Sequence, residues 1–297
     1  MTKCNEKNCC MGYYGNCLDV KITNACNAKC SFCIEKDGYC PNNKPVEDLI
    51  NATNIMEKYT KVLILGGEPL LYKDLEKYLE GIYLYKSAIY LTTNGSLLNS
   101  EKAEMLSKYL AGINISIHDF VDERNSEIYG INIDFENIIS AIKIFNKNKI
   151  PVRINCNLVK GHIDTKEKAE LMIQFVKYVL NADEIRFNEL QDSDDVFVDA
   201  LDIFENLTDN PFCDGCEQYI DGYGIKVRVK QTCGCNNDKK NPIKNPEPPK
   251  YKTMVVYPNA EVSNGWKSKK TLNLIRPCHS KYDHLSDSRS CHSRSCH

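Results

Sequence analysis

The 297-residue chain holds no long apolar run. A membrane-spanning helix needs roughly 18 consecutive apolar residues, so no span is expected. The opening MTKCNEKNCC has no hydrophobic stretch and does not read as a secretory signal. Charge of one sign is not in excess either. The 38 Lys and Arg against 40 Asp and Glu leave a net −2, with both signs mixed along the chain. Such a balance offers no surface for nucleic acid or for an anionic membrane. A cytoplasmic protein is expected, in a compartment where thiols stay reduced. Cysteine is scarce across the middle: only Cys156 lies between Cys40 and Cys213.

The other 15 of the 16 cysteines are gathered at the two ends. Cys4, Cys9, Cys10, Cys17, Cys26, Cys30, Cys33 and Cys40 come early, and Cys213, Cys216, Cys233, Cys235, Cys278, Cys291 and Cys296 come late. In a reduced compartment such grouping reads as metal ligands or catalytic thiols rather than disulfides. At 42% hydrophobic and 26% charged, the composition is that of a globular protein, long enough for one large domain and a smaller one.

Between about Leu18 and Asn188 short apolar runs alternate with longer amphipathic ones. LDVKIT, KVLIL, AIYLTT, GINISIH, VRINCNLV and EIRFNEL read as strands. VEDLINATNIMEKY, KDLEKYLEGIY, SEKAEMLSKYL, FENIISAIKIFNKN and EKAELMIQFVKYVL read as helices, with Ser100 and either Asp164 or Thr165 as N-caps. The last helix places Leu171, Ile173, Phe175, Val176, Val179 and Leu180 close to one stripe. Strands alternating with helices give an α/β fold with a parallel sheet and right-handed crossovers. Two strands alternate strictly, with Asn114, Ser116 and His118 on one and Arg153, Asn155 and Asn157 on the other. A flat doubly wound sheet would show unbroken apolar runs. The alternation therefore implies a curved sheet with a polar inner wall, Ile113, Ile115, Ile117 and Cys156 facing the helices.

After Asn188 the rhythm stops. An acidic stretch precedes CDGC, then a strand-like YGIKVRVKQT, CGC and a Lys-, Asn- and Pro-rich linker. TMVVYPNAEVSNGW reads as a hairpin turning at Pro258, Asn259 and Ala260, and the tail SDSRSCHSRSCH is polar and duplicated.

CNAKCSFC, residues 26 to 33, follows the first strand. A structural zinc site needs four ligands, and here Cys40 or Cys17 would have to supply the fourth. A [4Fe–4S] cubane offers the other reading: three thiolates hold three irons and the fourth keeps an open coordination position. Phe32 beside Cys33 would shield such a cluster and tune its potential.

CxxxCxxC with an aromatic residue before its last cysteine, GGEP at Gly66, Gly67, Glu68 and Pro69 after the second strand, and TTNG after the third resemble the radical S-adenosylmethionine (SAM) enzymes. The resemblance covers about residues 18 to 190. VRINCNLVKG and EIRFNEL are similar to the MoaA-like branch that carries a SPASM or Twitch extension. The resemblance implies a partial (βα)6 radical SAM barrel with a small cysteine-rich C-terminal extension. Cys26, Cys30 and Cys33 would hold the [4Fe–4S] cluster. SAM would lie against Gly66, Gly67, Glu68, Asn94, Ser116 and Asn155, and His118 and Arg186 would face substrate. Reductive cleavage of SAM to a 5′-deoxyadenosyl radical, which then takes a substrate hydrogen, is the implied chemistry. Cys213, Cys216, Cys233 and Cys235 would hold an auxiliary Fe–S cluster, although a zinc ribbon has similar spacing and Cys278 is a substitute ligand.

The implied organisation is a cysteine-rich segment over 1–17, the barrel over 18–205, the auxiliary region over 206–285 and a polar tail over 286–297. Tyr72 after GGEPLL and a first strand offering only Lys21 depart from a nucleoside-triphosphate site. Peptide modification to a crosslink or thioether is therefore the leading expectation, with a small-molecule or nucleotide-derived substrate second and a zinc-binding interaction protein third. Flavodoxin or ferredoxin would supply the electron.

Overall fold

A computed structural model describes residues 17–190, 194–204, 217–220, 223–230 and 254–267. Six parallel strands carry the fold: β1 (Cys17–Lys21), β2 (Lys61–Leu65), β3 (Ala88–Thr93), β4 (Gly112–Ser116), β5 (Val152–Asn157) and β6 (Glu184–Asn188). They lie side by side in chain order, each paired in parallel with the next. Between them run α1 (Val46–Asn54), α2 (Leu75–Tyr83), α3 (Ser100–Ser107), α4 (Asp122–Tyr129), α5 (Phe135–Lys147) and α6 (Lys166–Gln174). α7 (Ala200–Ile203) follows β6. This is the α/β partial barrel expected. No helix among the described residues is long and apolar enough to cross a membrane.

The strands alternate because one face packs on helices and the other does not. Val20, Ile64, Leu91, Ile115, Ile154 and Phe187 are fully buried against the helical layer. Cys156 lies with them, as an ordinary core thiol. Burial pushes that thiol well above its usual range.

Several boundaries depart from expectation. Asn99, not Ser100, caps α3 by accepting the Lys102 N–H at 2.9 Å. Thr165 caps α6 as one of the two expected candidates. After Gln174 the helix widens into a π-helical turn over Phe175–Leu180, ending on Asn181 at φ 54°. Leu171, before that turn, and Val179, within it, are 48% and 51% exposed, while Val176 and Leu180 are buried. α4 has no apolar stripe in sequence; it stops where Gly130 takes φ 64°.

Two hairpins extend the sheet at its edges. β7 (Glu217–Ile220) and β8 (Lys226–Lys230) are antiparallel, and β8 pairs in parallel with β6. β9 (Met254–Val256) and β10 (Val262–Asn264) form the expected hairpin, with Ala260 at φ 61° in its turn, and β9 pairs in parallel with β1. Both hairpins, drawn from the 206–285 region, thus belong to the same ten-stranded sheet as the barrel.

Candidate functional site

The C-terminal ends of the six strands open on one cavity of about 410 Å3. Parallel α/β architectures place their chemistry at this end, where loops leave the strands and side chains from several strands converge. Cys26, Cys30 and Cys33 line it, and so do Gly66, Gly67, Glu68, Asn94, Ser116, His118, Asn155 and Arg186. Every candidate site residue within the described chain therefore meets in one place. Cys213, Cys216, Cys233, Cys235 and Cys278 lie outside the described residues.

The three-cysteine loop is fastened on several sides. Gly67 N–H donates to the Thr23 carbonyl at 2.9 Å and Glu68 N–H to the Ala25 carbonyl at 2.8 Å. A Cβ on Gly67 would stand 2.2 Å from the Ala25 oxygen, and one on Gly66 2.8 Å from the Thr23 oxygen. The glycines were expected to admit a ligand; what approaches them here is the loop itself. Asn94 Nδ2 donates to Asn27 Oδ1 at 3.0 Å, and Asn27 Nδ2 to Ser96 Oγ at 2.9 Å. Lys29 N–H donates to the Tyr129 carbonyl at 2.7 Å.

Glu68 is almost wholly buried. Its Oε1 accepts from Leu70 N–H and Thr93 Oγ, and its Oε2 from Asn94 N–H at 2.8 Å. A carboxylate has about four acceptor positions. Three are engaged, which leaves one on Oε2 for a ligand donor. Burial raises its pKa despite those bonds.

The thiol chemistry fits a polynuclear cluster. Burial pushes Cys30 up to about 11, with the neighbouring Cys33 and Cys26 adding to it. Burial also raises Cys26. Thiols that repel one another's anions need a cationic centre before all can ionise. A tetrahedral zinc would need a fourth ligand beside Cys26, Cys30 and Cys33, whereas a cubane gives each sulfur its own iron. Cys17 does not line the cavity: it opens β1, about 13 Å of strand before Lys21. Cys40 hydrogen-bonds to the Gly38 carbonyl at 3.5 Å and does not line the cavity.

Beside the thiols, Asn155 Oδ1 is buried and has no hydrogen-bond partner among the described residues. An orphaned acceptor of this kind costs about 1–3 kcal/mol unless a ligand donor meets it. SAM, with its hydroxyls and ammonium, can provide that donor.

The wall opposite is charged. Arg153 and Arg228 share the buried carboxylate of Glu184, at 2.7 and 2.8 Å. One register step nearer the mouth, Arg186 and Asn188 of β6 and Lys230 of β8 line the cavity. Glu189 lines it too, and its Oε1 accepts the Ala200 N–H that opens α7 at 2.8 Å. Lys230 and Tyr129 were missed as site residues. Lys230 could have been found from the KVRVK alternation, but Tyr129 carries no sequence signal. His118, expected against substrate, lines the cavity with both ring nitrogens already hydrogen-bonded inside the protein.

Known proteins share this family and fold. The radical SAM superfamily description matches residues 20–176. A GTP 3′,8-cyclase of Aliarcobacter butzleri is 28% identical over 197 residues, covering 57% of this chain and 60% of that protein. One from Staphylococcus epidermidis is 30% identical over 188 residues, covering 59% and 54%. The chain thus spans little more than half the length of these relatives. Among solved structures, Streptococcus suis SuiB bound to its precursor peptide SuiA shares the fold, with a TM-score of 0.58 at 19% identity over 84% of this chain and 59% of that one. A Sphaerobacter thermophilus radical SAM methyltransferase has a TM-score of 0.53 at 16% identity, over 72% and 65%. Family match, fold and the three-thiol loop agree: the chain belongs to the radical SAM superfamily, an enzyme family that uses SAM and a [4Fe–4S] cluster.

Proposed function

We propose that this enzyme modifies a peptide, forming a crosslink or thioether. Cys26, Cys30 and Cys33 hold the cluster, and Gly66, Gly67, Glu68, Asn94, Ser116 and Asn155 position SAM. When bound there, cluster and SAM would supply the radical chemistry for removing a substrate hydrogen. The protein orients the partners and keeps water out. Asn155 Oδ1 and the remaining Oε2 position of Glu68 accept ligand donors, while Phe32 and Ile34 give the mouth apolar walls. Arg186 anchors the substrate from β6. Ring or thioether closure removes one hydrogen as an atom and a second as a proton. Cys213, Cys216, Cys233 and Cys235 would hold an auxiliary Fe–S cluster, which would supply an acceptor for the remaining electron. The β7–β8 hairpin pairs Glu217 with Lys230, so the two chain ends that lead to these cysteines lie side by side.

The carrying observation is the state of β1. Its inward side chains are Cys17, Asp19 and Lys21. The Lys21 ammonium is buried against Glu35 and donates to the Tyr39 carbonyl at 3.0 Å. The strand below the cluster thus presents an acid and an already engaged lysine, a poor seat for a triphosphate. The peptide-bound SuiB, which shares the fold over most of this chain, supports the same reading.

A nucleotide-derived substrate is the second reading. It is favoured by the GTP 3′,8-cyclase relatives and by the cationic Arg186 and Lys230. Anaerobic assays of 5′-deoxyadenosine with reductant, SAM and either candidate precursor peptides or GTP separate the two. Peptide-dependent turnover with loss of two hydrogens from the peptide is expected. GTP-dependent turnover with no response to peptide overturns the first reading.

A further inference from the structure

Two aromatic residues behind the cluster loop belong to none of the cysteine, glycine or asparagine motifs. Tyr129 closes α4 and is 3% exposed. Its carbonyl receives the Lys29 N–H, and its ring stacks on His118 with centroids 5.1 Å apart and planes at 24°. The His118 ring in turn meets Phe32, next to Cys33, edge to face at 5.3 Å and 77°.

Hydrogen bonding fixes the state of that imidazole. The backbone N–H of Asn157 can only donate, and it donates to His118 Nδ1 at 3.1 Å. The ring proton therefore sits on Nε2 and is given to Tyr129 Oη at 3.1 Å. The Tyr129 hydroxyl passes its own hydrogen to the Ser116 carbonyl at 2.7 Å. The His118 backbone N–H donates to Asn125 Oδ1 at 2.8 Å. Neither ring nitrogen is left for a substrate. Two strand ends and one helix end are thus tied behind a single aromatic stack, and the side chain at its front belongs to the cluster loop.

We propose that His118 and Tyr129 are positioning residues for the cluster rather than substrate contacts. Together they fix Phe32 and, through Lys29, the loop between Cys26 and Cys33, so that the cluster keeps one dry, defined environment. The apolar shell and outer partners of a metal centre control solvent access and potential. The inference rests on a cluster held by the three cysteines and is independent of the substrate.

The test uses the anaerobically reconstituted full chain as wild type, His118→Phe and Tyr129→Phe. Ile142→Val, a buried change on α5 away from the site, is the control. Iron content, the EPR signal that responds to SAM, the rate of iron loss to a chelator and the unfolding temperature are read for each. Both aromatic variants should load iron, show altered SAM-responsive g-values and lose iron about tenfold faster. Ile142→Val should lower the unfolding temperature and move neither cluster readout. Should His118→Phe fail to fold, the milder Tyr129→Phe decides. A wild-type signal and chelation rate in Tyr129→Phe overturns the proposal, and so does an equal change in Ile142→Val. A wild type holding zinc and no iron removes the cluster itself, recognisable because the signal is then missing from every sample.

Discussion

The two walls of the cavity are built on opposite principles. From β1 to β4 the wall is made of short-range backbone order: glycines without room for a Cβ, asparagine side chains bridging turns, and a buried carboxylate holding three donors. From β5 to β8 it is made of charge, with two guanidinium groups on Glu184 and Arg186 and Lys230 above them. On the proposed reading the first wall, joined by Asn155 of β5, would hold the cofactor, because backbone geometry admits few alternatives. The second would face the substrate, since side chains can change while the strand register stays. A scaffold of this kind keeps one chemistry and varies its substrate.

The largest effects should fall on the first wall. Replacing Cys30 with Ala should reduce 5′-deoxyadenosine formation to background and remove the SAM-responsive EPR signal. Gly67→Ala drives a methyl into the Ala25 carbonyl. It should lower cluster retention about tenfold to a hundredfold, measured as iron per chain after desalting.

On the second wall, Glu184→Gln leaves two buried guanidinium groups with too little countercharge. A loss of about 3 kcal/mol is expected, read from denaturant unfolding. Arg186→Gln should raise the substrate KM about tenfold to a hundredfold, with substrate-free SAM cleavage unchanged. Should Arg186→Gln instead abolish SAM cleavage without substrate, the division between the walls fails.

The smallest effect lies on β1, at Asp19. Burial raises this carboxyl from 3.8 to about 6, against the hydrogen bond from Trp266 Nε1 at 3.1 Å. The folded value lies above the unfolded one, so the favourable contribution is complete below about pH 4 and is lost as pH rises through about 6. Asp19→Asn should therefore stabilise the protein at pH 8 and much less at pH 4. Part exposure of the side chain limits the gain to about 1–2 kcal/mol. Unfolding temperatures at the two pH values measure it.

What the sequence made legible follows the same division. KVLIL and AIYLTT became β2 and β3 residue for residue, since period-two burial and flanking turns define a strand locally. The cluster loop, GGEP and TTNG were legible because each is a contiguous motif. α4 was not, since DERNSEIY offers hardly any apolar period. Neither was the π-helical turn, within which Val179 is exposed, nor the pairing of β9 with β1 across more than two hundred residues. His118 and Glu68 were recognised as site residues, but their hydrogen-bond partners lie on other strands and turns. Such partners are set by tertiary packing and leave no trace in local spacing.

One measurement bears most directly on the account. Wild-type protein, reconstituted without oxygen and mixed with SAM and a one-electron reductant, should hold iron and sulfide at the Cys26–Cys30–Cys33 loop and release 5′-deoxyadenosine and methionine. Iron-loaded, correctly folded protein that leaves SAM intact under those conditions would contradict it.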